Sequence, residues 1–260
     1  MKKRLFLVLS AVCFFLFACY TPKPKDMLDQ VKRKGELVIA MEGVWEPWNY
    51  HDAQNQLMGF DVDVAKEMCK RMGVKARFIE VEWERLLNCL EKRECDIVMN
   101  GVAITDERKE RFYFSTPYAY ERTVVIVRKD NDEIKSFNDL KGKTSANALN
   151  STYDNLARKY GAIPIIVDTF DETINLLMQN RVDSTINSAL SFNNYMKNNA
   201  GAPLKAVTMT EDVFRVAIPC RKAAENLTLL MEMNNVLEAM RFDGSLKEIS
   251  IRYFGQDISK

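Results

Sequence analysis

Asp61-Val62-Asp63-Val64-Ala65-Lys66-Glu67-Met68-Cys69-Lys70-Arg71-Met72, followed by Gly73, is the stretch on which the fold reading turns. Val64, Ala65, Met68 and Met72 fall on one face at helical spacing, and Gly73 stands where a helix end favours a residue free to take positive φ. Upstream, Leu37 to Met41 reads as a buried strand; downstream, Ala76 to Val81 reads as another. A helix from Glu84 to Lys92, with Leu86, Leu87 and Leu90 inward, and a strand from Ile97 to Met99 complete a βαβαβ series. Strands alternating with helices from Glu36 onward imply an α/β fold with mainly parallel sheets flanked by helices.

The pattern then resumes. Thr123 to Val127 is an apolar strand, and the charged break from Lys129 to Glu133 suits a crossing between lobes. Further helices are expected over 152–160, 171–180 and 190–197, with strands over 163–167, 184–186 and 205–207. Thr169 with Glu172 has capping-box spacing, an independent sign of a helix start. A late strand over Phe214 to Ile218, an amphipathic stretch from Asn226 to Phe242, Gly244 and a helix through Tyr253 close the chain.

The 260 residues are 47% hydrophobic and 28% charged with a net charge of +1, which fits a globular chain with ample core. Lys and Arg (37) almost balance Asp and Glu (36), so no basic surface argues for nucleic acid. The N-terminus departs from that average. Met1-Lys2-Lys3-Arg4 precedes an apolar run from Leu5 to Ala18, the composition of an export signal (1–18) and short of the roughly 20 residues of a membrane-spanning helix. A short anchor helix is the alternative. Leu16-Phe17-Ala18-Cys19 resembles a bacterial lipobox, with Phe17 bulkier than usual, which implies lipidation of Cys19, membrane attachment and a tether over 19–35. Cys69 and Cys89 fall at apolar helix positions and read as buried thiols; with Cys95 and Cys220 they also leave disulfides open in an oxidising compartment.

Catalytic patterns are scarce. His51 is the single histidine and sits in a polar, turn-like segment where an exposed loop residue is the simpler reading than a general base. HExxH, GxSxG and a phosphate-cradling GxxxxGK[ST] are absent, so neither a metal nor a nucleotide cofactor is indicated.

Asn100-Gly101-Val102-Ala103-Ile104-Thr105-Asp106-Glu107-Arg108, continuing to Arg111 and then Phe114-Ser115-Thr116-Pro117-Tyr118, closely resembles the signature region of the periplasmic amino-acid-binding proteins of ABC importers. Gly59 to Ala65, Phe137 to Lys143, Asp243 to Leu246 and Tyr253-Phe254-Gly255 agree, so the resemblance covers Leu37 to Gly255. It implies the two-lobed type II periplasmic-binding-protein fold with two crossover hinge strands, expected near 127–130 and 214–218. Lobe one is then 36–127 plus 217–260, and lobe two 128–216. The resemblance also implies capture of an amino acid by hinge closure and delivery to an ABC permease of the inner membrane with a separate ATPase. A monomer in the periplasm or at the cell surface is expected, without enzymatic activity.

Arg108 stands where relatives clamp the ligand α-carboxylate, a task suited to the planar guanidinium; otherwise it is a surface charge. Gly101 and Ala103 would add backbone contacts, although Ala103 lacks the hydroxyl common there. Asn150-Ser151-Thr152 resembles the Gly-Ser-Thr that offers helix N-terminal N–H groups to the same carboxylate, and Ser151 or Thr152 equally reads as a helix cap. Trp45 and Trp83 match aromatic residues around the ligand side chain, or else pack in the core. Glu42 matches an acid that meets polar or cationic ligand ends in some relatives, or is an exposed strand-end carboxylate. Ser188 replaces an Asp that pairs with the ligand ammonium; it cannot neutralise that charge, leaving Asn187 or Glu42 as substitutes. Asp183 to Ser188 and Tyr195 to Lys197 look most like the cystine-binding branch. Two other functions remain open at this stage: an exported, dehydratase-like enzyme, and a sensory or adhesive lipoprotein.

Overall fold

The computed structural model describes residues 26–260. The expected export signal, Cys19 and the first part of the expected tether lie outside the described residues. The tether does not run to residue 35, because Met27–Lys34 is a helix. Asp26 caps it by accepting from the Asp29 N–H, Gly35 ends it in the left-handed region, and Met27 and Val31 bury one face. The Asp26 cap and the Gly35 stop were both present in the sequence.

Two five-stranded sheets organise the chain. The first has the order Lys75–Glu80, Glu36–Met41, Ile97–Val98, Pro219–Arg221, Phe112–Phe114. Its first three strands are parallel, with Leu37 opposite Ala76 and Ile39 opposite Ile97. The last two run antiparallel to their neighbours. Alternation along Glu36–Met41 explains why helices cover both faces. Leu37, Ile39 and Met41 enter the core shared with helices Phe60–Met72 and Leu227–Phe242. Val38 and Ala40 meet Leu86 and Leu90 of helix Trp83–Glu91 on the other side. Cys69, Cys89, Cys95 and Cys220 are buried free thiols.

The second sheet has the order Ile163–Ile166, Thr144–Asn147, Ser184–Ser188, Thr123–Arg128, Leu204–Met209. Again three strands are parallel, while Thr123–Arg128 runs antiparallel to both neighbours. That strand corrects the expected boundary. Val124 and Ile126 pack into one core of this sheet, Val125 and Val127 into the other, so 123–127 belongs to the second lobe. The chain crosses earlier, through Ala119–Glu121, which pairs antiparallel with the returning strand Phe214–Val216. Lys129 to Glu133 is a turn built on the Asn131 side chain, which accepts from the Glu133 and Ile134 N–H groups. A charged break marks any turn; here the strand continuing from the hinge arrives without a crossover helix and so runs opposite to its parallel neighbours.

One buried carboxylate ties the first lobe together. Asp61 is fully enclosed; its Oδ1 accepts from the Tyr118 hydroxyl at 2.6 Å, and its Oδ2 from Asn49 Nδ2 at 3.1 Å and the Gly101 N–H at 3.0 Å. Asp61→Ala leaves those buried donors without an acceptor, an expected loss of about 2–4 kcal/mol in urea unfolding. A loss under about 1 kcal/mol in that titration would show that the network contributes little.

Candidate functional site

Between the two sheets lies a cleft of about 620 Å³, counted out to its mouth. Glu42, Trp45, Trp83, Gly101, Ala103, Arg108, Ser151, Thr152 and Asn187 all line it, drawn from five separate parts of the chain. A wider, more polar groove on the far side of Trp83 shares Arg108 and Thr152 as a common wall. The two lobes touch across the cleft. Trp83 Nε1 donates to the Leu149 carbonyl at 3.1 Å, Asn194 and Asn198 donate to Glu46 Oε1, and Trp45 meets Tyr153 edge-on.

Arg108 is not a surface charge. It lies in the short helix Asp106–Arg111, whose N-cap Thr105 accepts from the Arg108 N–H. Only 8% of the residue is exposed; Nη1 donates to the Ala103 carbonyl at 3.0 Å, and the guanidinium lies 5.3 Å from the Trp83 ring centre. Burial lowers its pKa to about 10. No carboxylate among the described residues makes a salt bridge to it. A buried cation without a counter-ion is costly, and a carboxylate in the cleft would relieve that cost.

Opposite it, helix Thr152–Lys159 begins at Ser151, whose hydroxyl accepts from the Asp154 N–H. Ser151 is therefore the cap, and Thr152 lines the cleft beside Arg108. Gly101, at φ +55°, leaves room for Trp45, whose Cζ3 would lie 2.6 Å from an added Cβ. Trp45 stacks on Trp48 with ring centres 5.3 Å apart, so it serves both core and cleft. Glu42 is not a solvated strand end. Its Oε2 accepts from Asn100 Nδ2 at 2.6 Å, and burial raises its pKa to about 7, with cleft-lining Asp168 adding to the rise.

Ser188 is the exception. It is fully buried and does not line the cleft, because its hydroxyl caps helix Ala189–Asn198 by accepting from Leu190 and Ser191 N–H. Asn187 does line the cleft, and its Oδ1 accepts from the Ser188 N–H at 2.8 Å. His51 is half-buried between the Gly43 carbonyl and Glu80, outside the cleft lining.

Sequence reasoning missed Val44, Asn147, Ala148, Tyr153, Asp168, Phe170 and Thr173, which also line the cleft, and Glu121 behind Tyr153. Tyr153 directly follows the residues singled out at the helix start, so the helix N-terminus was the available signal. Glu121 carried none: a single acid in a short polar strand looks solvated until the fold encloses it.

Residues 37–256 match the profile of the bacterial extracellular solute-binding proteins, family 3. The chain belongs to this family. It is 37% identical to the L-cystine-binding protein TcyA of Bacillus subtilis over 92% of this chain and 88% of that one. It is 33% identical to a probable amino-acid ABC transporter-binding protein of Haemophilus influenzae over the full length of both. Among solved structures, an ancestral arginine-binding protein bound to arginine superposes with a TM-score of 0.80 at 34% identity, covering 85% of this chain and 99% of that one. The fold is thus the type II periplasmic-binding-protein fold of family 3, and the relatives named here are binding proteins.

Family 3 architecture here encloses three acids, Glu42, Asp61 and Glu121, whose burial raises each pKa to about 7. Unfolded carboxyl groups titrate near 4, so between about pH 4 and 7 the folded chain holds protons that the unfolded chain has lost. Their contribution is fully present below the unfolded value and is lost as pH rises through the folded one. The ligand-free melting temperature should therefore rise by several degrees from pH 8 to pH 6, and Asp61→Asn should flatten the rise. A melting temperature that falls on acidification in calorimetry would contradict this.

Proposed function

We propose that this chain is an exported solute-binding lipoprotein that captures a polar amino acid or cystine in the interlobe cleft and delivers it to an ABC permease. The single observation that carries the reading is Arg108, a buried cation on the cleft wall with no salt bridge among the described residues, lining the same cleft as the start of helix Thr152–Lys159. A ligand α-carboxylate fits there, held by the guanidinium and by backbone N–H groups. Trp45 and Trp83 offer indole surface to the ligand side chain, and Glu42, Asp168 and Asn187 offer polar groups. TcyA is named for cystine and the ancestral structure holds arginine, both amino acids with polar far ends.

The ligand role extends to Gly101 and Ala103, and anchoring through Cys19 follows from Leu16-Phe17-Ala18-Cys19. Binding without turnover is the expected chemistry. The lobe limits under this reading are 26–118 with 217–260 for lobe one and 123–213 for lobe two, joined by the hinge pair Ala119–Glu121 and Phe214–Val216.

The test is a thermal screen of the chain from Thr21 onward, refolded free of carried ligand, against the standard amino acids and cystine. A ligand at a hundredfold excess over Kd adds about 2.7 kcal/mol of stability. Arg108→Ala should abolish the shift, at a cost of about 2–5 kcal/mol in binding. A ligand bound equally well by that variant would remove Arg108 from the site.

A further inference from the structure

The reading of the cleft as an α-amino-acid site leaves the ligand ammonium without the carboxylate that Ser188 displaces. Glu121, at the end of the hinge strand Ala119–Glu121, lies against Ser188 and Tyr153. It is 5% exposed; Oε1 accepts from the Tyr153 hydroxyl at 3.2 Å, the Ser188 hydroxyl adjoins the same carboxylate, and Oε2 is buried with no hydrogen bond of normal geometry among the described residues. No Lys, Arg or His among the described residues pairs with it. An enclosed carboxylate with a free oxygen and no cation is the complement of Arg108, an enclosed cation with no carboxylate.

Placement supports the pairing. Tyr153 lines the same cleft as Arg108 and donates from its hydroxyl to Glu121. The carboxylate and ammonium of an α-amino acid leave the same carbon, so the groups that hold them must serve one cleft, which Arg108 lines directly and Glu121 reaches through the cleft-lining Tyr153. Glu42 is the weaker choice because its carboxylate is already held by Asn100, and Asn187 carries no charge.

We propose that Glu121 supplies the charge that offsets the ligand α-ammonium, standing in for the carboxylate absent at Ser188. The Tyr153 hydroxyl donates to Glu121 and accepts from the ammonium, so Glu121 is a positioning and specificity residue that acts behind the cleft wall. Because Glu121 also ends a hinge strand, ammonium recognition and the relation of the two lobes meet at one residue.

The experiment measures Kd by calorimetry for the standard L-amino acids and L-cystine, each beside its des-amino counterpart, in the full mature chain and in Glu121→Gln. The wild-type chain should prefer the amino acid. Glu121→Gln should weaken amino-acid binding about a hundredfold while changing the des-amino counterpart by less than about threefold. Adding Ser188→Asp to that variant should restore most of the preference, which a merely structural role for Glu121 would not produce. Should Glu121→Gln fail to fold, the exchange variant Glu121→Ser with Ser188→Asp moves the carboxylate across the same contact and should keep the preference. Unchanged preference in folded Glu121→Gln, or its loss in the folded exchange variant, overturns the proposal and leaves the amino-acid reading standing. A wild-type chain that binds no amino acid overturns both.

Discussion

The carboxylate of Asp61 is the constraint around which the first lobe is arranged. It reaches Asn49 in the small antiparallel sheet of Val44–Trp45, Asn49–His51 and Leu57–Met58, Gly101 in the segment that lines the cleft, and Tyr118 at the approach to the hinge. A carboxylate offers enough lone pairs for three donors, and taking it from water is tolerable because all three are met inside. Phe60, its neighbour, stacks on Tyr118 and meets Trp48 edge-on, so the apolar packing and the polar network fix the same three segments. Gly101 can lie against Trp45 only because it has no Cβ, and its N–H is held by Asp61. The floor of the cleft is therefore a rigid consequence of the core.

The cleft itself is less settled electrostatically. Arg108 is enclosed without a counter-ion, and Glu121 and Glu42 are enclosed with raised pKa values. Each costs stability in the empty protein, and a zwitterion would relieve charges of both signs at once. A ligand with only one of the two charges would leave the other group uncompensated, so an enclosed cation and an enclosed acid in one protein favour a ligand that carries both.

Much of this was legible from the chain. Apolar spacing located helix Phe60–Met72 almost to the residue, and the Thr169 and Glu172 pair correctly marked a capping box. Motif resemblance picked out nine residues that line the cleft, since a backbone turn and an arginine in a short capped helix are local features. The failures share a cause. Thr123 to Val127 was placed in the wrong lobe because a buried β run looks the same in either sheet; only its partners, Ile186 and Ala206 among them, decide. Ser188 was read as a cleft residue because sequence shows position but not where a hydroxyl is spent, and here it is spent on a helix cap. Glu121 was invisible because its enclosure comes from Tyr153 and Ser188, both far away in sequence.

The contacts that bridge the lobes bear on how such a cleft would work. They are the Trp83 bond to Leu149, the Glu46 bonds to Asn194 and Asn198, and the edge contact of Trp45 with Tyr153. Hydrogen bonds of this kind contribute about 1 kcal/mol net apiece, and the Glu46 pair is exposed to solvent. A ligand that carries both missing charges adds its stabilisation only when the two lobes are together, and such differential binding is what shifts a conformational equilibrium. Weak direct contacts between the lobes are thus suited to a cleft governed by its ligand. Stronger ones would hold it shut whether or not a ligand were present.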